Sequence, residues 1–184
     1  MSMTTSSSFF DSKSLADAPP KSARLAVAWT IDARLRCEHR RILRRFEMLA
    51  GTCRLGQRPP FFHDLRSELL SYARAKMLTV YPALGAHGAS VQAKLLVSSK
   101  ECSELIESID SARLVQTDRL HFAQALDHVA WKFQTHTFNE EQEFLPMVVD
   151  VLSREAMAAL DATYRQHKAR ILRQLSSHEV AGTL

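Results

Sequence analysis

The sequence predicts an all-α protein: an antiparallel up-down-up-down four-helix bundle with one additional C-terminal helix. Glycine and proline are scarce, at 5 and 6 of 184 residues. Most of them lie outside the long stretches in which apolar residues recur every three or four positions. Those stretches are rich in Ala, Leu, Arg, Glu and Gln, which favour helix over strand. The chain also repeats itself at an offset of 63–64 residues, which is typical of paired helices in a bundle.

Length and composition restrict the class of protein. A chain of 184 residues with 46% hydrophobic content can bury one ordinary core, so we expect a single domain. The 24 basic and 20 acidic residues are interspersed, which argues against nucleic-acid binding. Three cysteines without paired spacing and a polar N-terminus indicate a reducing, cytoplasmic bacterial location. No apolar run approaches the roughly 20 residues that span a bilayer, so we expect a soluble protein without membrane contact.

The apolar pattern divides the chain into a tail, a bundle and a frayed end. Residues 1–20 are rich in Ser and Thr and end in two prolines, so we expect a disordered tail. The bundle is predicted over residues 21–176, and residues 177–184 are expected to fray. Its four main helices are predicted at about 21–50, from the end of the loop through Pro60 to about 84, at 90–109 and at 117–151. Pro146 should kink the fourth helix, and Ser153 could cap the N-terminus of a fifth.

The internal repeat identifies equivalent helices. Glu38-His39 recurs as Glu101-Cys102, at an offset of 102 − 39 = 63, so helices one and three are equivalent. Helices two and four are equivalent at an offset of 146 − 82 = 64. There the residues Leu65, Leu69, Tyr72, Lys76, Val80 and Pro82 map onto Val129, Phe133, His136, Glu140, Phe144 and Pro146.

In a bundle with this symmetry, inward residues of facing helices meet at mid-depth. Buried polar groups without partners cost about 1–3 kcal/mol each, so a whole layer of them predicts a functional site or the remnant of one. The predicted layer consists of His39, Tyr72, Lys76, Cys102, His136 and Glu140.

The segment His136-Thr-Phe-Asn-Glu140-Glu141-Gln-Glu-Phe-Leu-Pro146, together with Glu38-His39-Arg40 and Tyr81-Pro82-Ala83-Leu84, resembles the hemerythrin-like (HHE cation-binding) family. The likeness covers about residues 21–151. It implies a bundle that holds two irons through histidines from all four helices. Carboxylates one turn after the histidines of helices two and four would bridge the metals. The family binds dioxygen, nitric oxide or iron.

Only part of this ligand set is present. The resemblance assigns His39 to the helix-one ligand, His136 to the helix-four ligand and Glu140 to the bridging carboxylate. The remaining ligand positions are substituted: Tyr72 stands at the helix-two histidine, Ala73 and Lys76 at its carboxylates, and Cys102 at the helix-three histidine.

The Lys76 substitution argues most strongly against a di-iron site, because an ammonium group would repel two nearby divalent cations. We expect Lys76 to pair with Glu140, with Tyr72 and His39 completing the hydrogen bonds. The sequence therefore predicts a hemerythrin-like protein without a complete di-iron site and without a cofactor. It would be a non-catalytic sensory or protein-interaction module, because no set of nucleophile, base and orienting group is evident. A protein partner or self-association is compatible with the sequence, which does not identify either.

Other interpretations stay open. Cys102, His136 and Glu140, with His39 as a further ligand, could hold a single iron or zinc ion. Alternatively, Cys102 could be a redox or nitric-oxide sensor whose thiolate is favoured by Lys76. The plainest interpretation is that Cys102 is a small buried hydrophobic residue and His136 a core histidine with satisfied hydrogen bonds.

Overall fold

The computed structural model describes residues 29–51 and 58–181, which form seven α-helices and two π-helical turns and contain no strand. None of these helices is long and apolar enough to cross a membrane. The helices are α1 Ile31–Gly51, α2 Arg58–Ala75, α3 Tyr81–Leu84, α4 Ala89–Leu114, α5 Arg119–Asn139, α6 Leu145–Val151 and α7 Arg154–Ala181. The first π-helical turn, Lys76–Val80, joins α2 to α3, and the second, Glu140–Phe144, joins α5 to α6.

The all-α prediction is confirmed, and the four rods of the bundle are α1, α2 with α3, α4, and α5 with α6. The third rod is longer than predicted: α4 continues past Ile109 to Leu114. No glycine or proline interrupts it there, and Ala112 is still buried in the core. At the C-terminus α7 extends to Ala181. The predicted tail at 1–20 and residues 182–184 lie outside the described residues.

Each π-helical turn precedes a proline in the equivalent position of the repeat. The backbone N–H of Tyr81 donates to the carbonyl of Lys76, and that of Leu145 donates to the carbonyl of Glu140. Both bonds reach back five residues instead of four. Because a proline ring collides with the carbonyl four residues earlier, the wider turn makes room for Pro82 and Pro146. The disturbance expected at Pro146 thus takes the form of a π-helical turn.

The helix after the bundle, α7, packs against α1 and α2. Ser153 caps it as predicted, since its Oγ accepts the N–H of Ala156 at 3.2 Å. The face that α7 turns to the core buries four apolar or aromatic side chains. These are Met157, Leu160, Tyr164 and Ile171.

A buried polar cluster also attaches α7 to α1. Glu38 Oε2 accepts a hydrogen bond from Tyr164 Oη at 2.7 Å and contacts Lys168 Nζ. Near the start of both helices, Arg34 Nε lies 2.9 Å from Asp161 Oδ1. Burial raises the pKa of Tyr164 well above its usual value and lowers that of Lys168. Sequence reasoning did not anticipate this cluster.

Candidate functional site

The six residues of the predicted central layer meet in the middle of the bundle. Each of them has at most 1% of its surface exposed. They come from different elements, so the layer depends on the packing of the whole bundle. His39 is on α1, Tyr72 on α2, Lys76 in the first π-helical turn, Cys102 on α4, His136 on α5 and Glu140 in the second π-helical turn.

The ammonium group of Lys76 lies at the centre of this layer. Its Nζ contacts Glu140 Oε1 and lies 2.9 Å from His136 Nε2 and 3.0 Å from Tyr72 Oη. It also lies over the Tyr72 ring, 4.6 Å from the ring centroid, where the ring face attracts a cation. The lysine does not extend to solvent along its stem; it is fully buried.

Glu140 is the acceptor around which the other groups are arranged. Besides the contact with Lys76, its carboxylate accepts from Tyr72 Oη at 2.6 Å and from Ser98 Oγ at 3.2 Å. His39 Nε2 lies 3.0 Å from its second oxygen. Burial raises the pKa of Glu140, but the charges of Lys76 and His136 and the hydrogen bonds from His136 and His39 lower it by a larger amount, so the pKa is well below its usual value. The carboxylate is therefore ionised in the core.

Each histidine of the layer is oriented by a carboxylate nearer the surface. His39 Nδ1 lies 2.8 Å from Glu141 Oε1, and His136 Nδ1 lies 2.7 Å from Glu101 Oε2. Asn139 Nδ2 donates to the other oxygen of Glu101 at 2.7 Å. From the sequence, no contact was assigned to Glu141 or Glu101. The repeat could have identified Glu101, because it precedes Cys102 as Glu38 precedes His39.

His136 lies beside both central charges of the layer. Its Nε2 is 2.9 Å from Lys76 Nζ and 3.3 Å from Glu140 Oε2. Burial and the charge of Lys76 lower the pKa of His136, but the interactions with Glu140 and Cys102 raise it by a larger amount, so that the pKa is about 10.

Cys102 completes the layer from α4. Its Sγ lies 3.2 Å from Tyr81 Oη and 3.7 Å from His136 Nε2. Burial raises the pKa of the thiol, but the positive charges of Lys76 and His136 lower it by more, so the net shift is downward. The thiol is free and fully buried. Ala73, at a substituted ligand position, is also fully buried and offers no donor atom.

The donor set does not fit two irons. Two histidines and one carboxylate remain, and the Lys76 ammonium contacts that carboxylate directly. In the low dielectric of a core, this fixed positive charge opposes binding of further cations. Within residues 29–51 and 58–181, no group of three or more His, Cys, Asp or Glu side chains is arranged to hold a metal ion.

A cleft leads from the surface toward the layer between α4 and the end of α5. It has a volume of about 300 Å³ and reaches Ser98 and Glu140. Val97 and Phe144 form apolar parts of its wall, and Glu101 lies at its edge. This size is at the lower end of the range for small-molecule pockets.

Comparison with known proteins gives one match. Residues 30–148 match the model of a family described as the hemerythrin HHE cation binding domain. The matched segment begins just before α1 and ends within α6, so it contains every residue of the central layer, whereas α7 lies beyond it. No curated protein and no solved structure matches the chain.

Proposed function

The chain belongs to the hemerythrin HHE cation-binding family, and from this premise we propose that it is a metal-free member acting as a non-catalytic sensory or protein-interaction module. The observation that supports the proposal is the position of Lys76 Nζ, between Glu140, His136 and Tyr72. The ammonium neutralises the carboxylate that would otherwise bridge metals. A protein-borne cation thereby takes the electrostatic role of the metals.

The hydrogen bonds of the layer support a fixed structural role. Breaking a buried ion pair by removing one partner costs about 3–5 kcal/mol, so Lys76 is held in place once Glu140 is ionised. The acid and base groups of the layer are directed at one another. A general acid or base must instead reach a substrate proton within hydrogen-bond distance. The free thiols of Cys37 and Cys102 fit a reducing cytoplasm, which is the location we propose.

Metal analysis of protein purified without chelator tests this proposal. We expect iron and zinc well below one ion per chain, with no change in the variants His136→Ala and Cys102→Ser. The exposed histidine His121 provides a matched control, His121→Ala, because it pairs with its neighbour Asp118 on the surface, away from the central layer. Stoichiometric metal that both central substitutions abolish, and that the control retains, would contradict the metal-free assignment.

A second candidate is a single metal ion held by Cys102, His136 and Glu140, with His39 as a further ligand. The observation that favours it is the 3.7 Å approach of Cys102 Sγ to His136 Nε2, together with the lowered pKa of the thiol. Binding would require Lys76 to give up its proton or leave the layer. Cobalt(II) discriminates the two candidates: thiolate-to-metal absorption in the wild type, lost in Cys102→Ser, supports the single-ion site.

The thiol-sensor interpretation rests on the same lowered pKa but conflicts with burial. Because Cys102 has no exposed surface, reagents reach it only when the bundle opens. We therefore expect alkylation of Cys102 to be slow in the native protein and fast after unfolding. The partly exposed Cys37 serves as an internal reference in the same mass-spectrometric measurement. Rapid native modification of Cys102 would favour the sensor.

A further inference from the structure

One side of the bundle exposes large apolar side chains in a compact group. We call it the α4–α5 face and define it by Val97, Glu101, Glu104, Trp131, Thr135 and Phe138. The exposed fractions of Val97, Trp131 and Phe138 are 57%, 60% and 65%. Two adjoining hollows meet at Glu101: one is bordered by Val97, and the other by Glu104, Trp131 and Thr135.

The internal repeat relates this face to the surface of α1 and α2 that α7 covers. Subtracting the offset of 63 from the α4 residues gives Arg34, Glu38 and Arg41 on α1. Subtracting 64 from the α5 residues gives Ser67, Ser71 and Arg74 on α2. On that side α7 is in place: Arg34 contacts Asp161, and Glu38 contacts Tyr164 and Lys168. Ser67 and Ser71 are buried.

The α4–α5 face has no such cover among the described residues. Trp131 is 60% exposed, whereas Ser67 at the equivalent position of α2 is only 9% exposed. Phe138 is 65% exposed, and its equivalent on α2 is the charged residue Arg74. The ring contact of Trp131 is with His128 of the same helix, stacked at 6.2 Å between centroids. Aromatic residues in an exposed cluster are the usual anchors of protein interfaces. This side of the molecule is therefore suited to contact with another protein surface.

We propose that the occupant of the α4–α5 face is a second copy of the chain, which packs the same face against it about a twofold axis. The charges of the face point to this partner. The negative charges of Glu101 and Glu104 are balanced by Lys100 and Lys132, which adjoin the face and contact Glu104. A surface with both signs in balance is complementary to itself, which a twofold interface requires. A strongly acidic or basic partner would find no excess charge to bind.

The size of the face is sufficient for a dimer. With 21 residues, α5 is about 30 Å long, and two helices side by side are about 20 Å wide. The exposed side of the α4–α5 pair, which includes the α4–α5 face, therefore covers about 600 Å² per copy. A dimer that used all of this side would bury about 1,200 Å² in total, at the lower limit of specific interfaces. The central contacts would be those of Trp131 and Phe138 with their counterparts in the other copy.

Analytical ultracentrifugation across a concentration series tests the inference. We expect the wild type to dimerise with a dissociation constant below about 100 μM, which is at the weak end for specific interfaces because about 1,200 Å² is their lower limit of size. The variant Trp131→Ser with Phe138→Arg introduces the residues that α2 has at the equivalent positions. It should raise the dissociation constant at least about tenfold, because aromatic anchors dominate interface energetics.

Two further measurements complete the test. The control variant Leu78→Ser removes an equally exposed apolar side chain from the first π-helical turn and should leave the dissociation constant unchanged. Thr135→Cys should give a disulfide-linked dimer on oxidation if the faces meet. A wild type that stays monomeric, or a dimer that survives the double substitution, overturns the inference. The inference rests on the proposed interaction role and supplies a partner for it. A protein that is metal-free but monomeric would refute the dimer and leave the metal-free assignment standing.

Discussion

The ammonium of Lys76 and the carboxylate of Glu140 form an ion pair at the centre of the bundle, with at most 1% of either side chain exposed. The two residues occupy equivalent positions of the repeat, 64 residues apart. Each follows its α2 or α5 partner, Tyr72 or His136, by one turn. One half of the repeat thus supplies the cation and the other half supplies the anion, so the layer is electrostatically asymmetric although its backbone is symmetric.

The ion pair should show strong energetic coupling. Lys76→Met leaves a buried carboxylate without its cation and should reduce the free energy of unfolding by about 3–5 kcal/mol. Glu140→Gln should also destabilise the protein, because Lys76 then lacks its partner. The double variant should lose much less than the sum of the two. Urea unfolding followed by circular dichroism measures all four proteins, and additive losses would show that the pair contributes no coupling.

The stabilisation by Glu140 should depend on pH in a defined window. Its pKa in the folded protein is well below the ordinary value of 4.5, so the unfolded chain takes up the proton first as the pH falls. The stabilisation is therefore complete above about pH 5 and is lost as the pH falls below 4.5 toward the folded pKa. We expect the stability difference between wild type and Glu140→Gln to be constant between about pH 5 and 6.5 and to shrink below pH 5. Above pH 6.5 the difference also shrinks, because Glu140 helps to raise the pKa of His136 and this contribution is lost as the pH approaches 10. A difference that grows on acidification below pH 5 would refute the assignment.

Replacing the departures from the family pattern should create a metal site. The triple variant Tyr72→His, Lys76→Glu and Cys102→His removes the ammonium and adds two imidazoles and a carboxylate to the layer. We expect it to bind iron, measured as iron per chain and as new visible absorption. The single variant Lys76→Glu is the control, because it removes the positive charge without adding histidines. If the triple variant binds no iron, the backbone positions of the helices have changed as well as the side chains.

The attachment of α7 should depend on Tyr164. Tyr164→Phe removes the hydroxyl that donates to Glu38 at 2.7 Å and leaves the ring in the core. A buried hydrogen bond to a charged group contributes about 1.5–3 kcal/mol, and we expect the free energy of unfolding to fall by that amount. The neighbouring exposed residue provides a control, Thr163→Ala, which should change it by less than about 0.5 kcal/mol. Equal effects of the two substitutions would argue against the cluster.

The fold could be predicted because its signals are local and repeated. The three- and four-residue apolar period identified each rod, and Ser153 is a direct cap signal that the structure bears out. The far end of α4 was underestimated because neither a cap nor a breaker stands at Ile109, and the burial of Ala112 depends on neighbouring helices. The π-helical turns could not be predicted either, because a proline indicates a disturbance of the helix without specifying its form.

Of the central site, the sequence predicted the six buried residues but not the carboxylates that contact them from nearer the surface. The inward position of Lys76 and Glu140 and their equivalence in the repeat were enough to predict that the two side chains pair. The contact of Glu141 with His39 was not assigned, because helical period places Glu141 beside the inward face, where a solvated position is the ordinary expectation. In the structure Glu141 belongs to the second π-helical turn, which helical period does not describe. The partners of Glu38 on α7 could not be foreseen either, because they lie 126 and 130 positions away and no repeat connects them.

For the structure of the two π-helical turns, the number of residues matters more than the identity of the exposed side chains. Loss of one residue from Lys76–Val80 would place the Tyr81 N–H four residues after the Lys76 carbonyl, so the turn would close into an ordinary α-helical one. The room that the wider turn makes for the Pro82 ring would then be lost. The strain would fall next to Tyr81, whose hydroxyl lies 2.9 Å from Ser98 Oγ and 3.2 Å from Cys102 Sγ. Changes of side chain in this segment should therefore be tolerated at exposed positions such as Leu78, whereas a shortening by one residue should disturb the contact of α3 with α4.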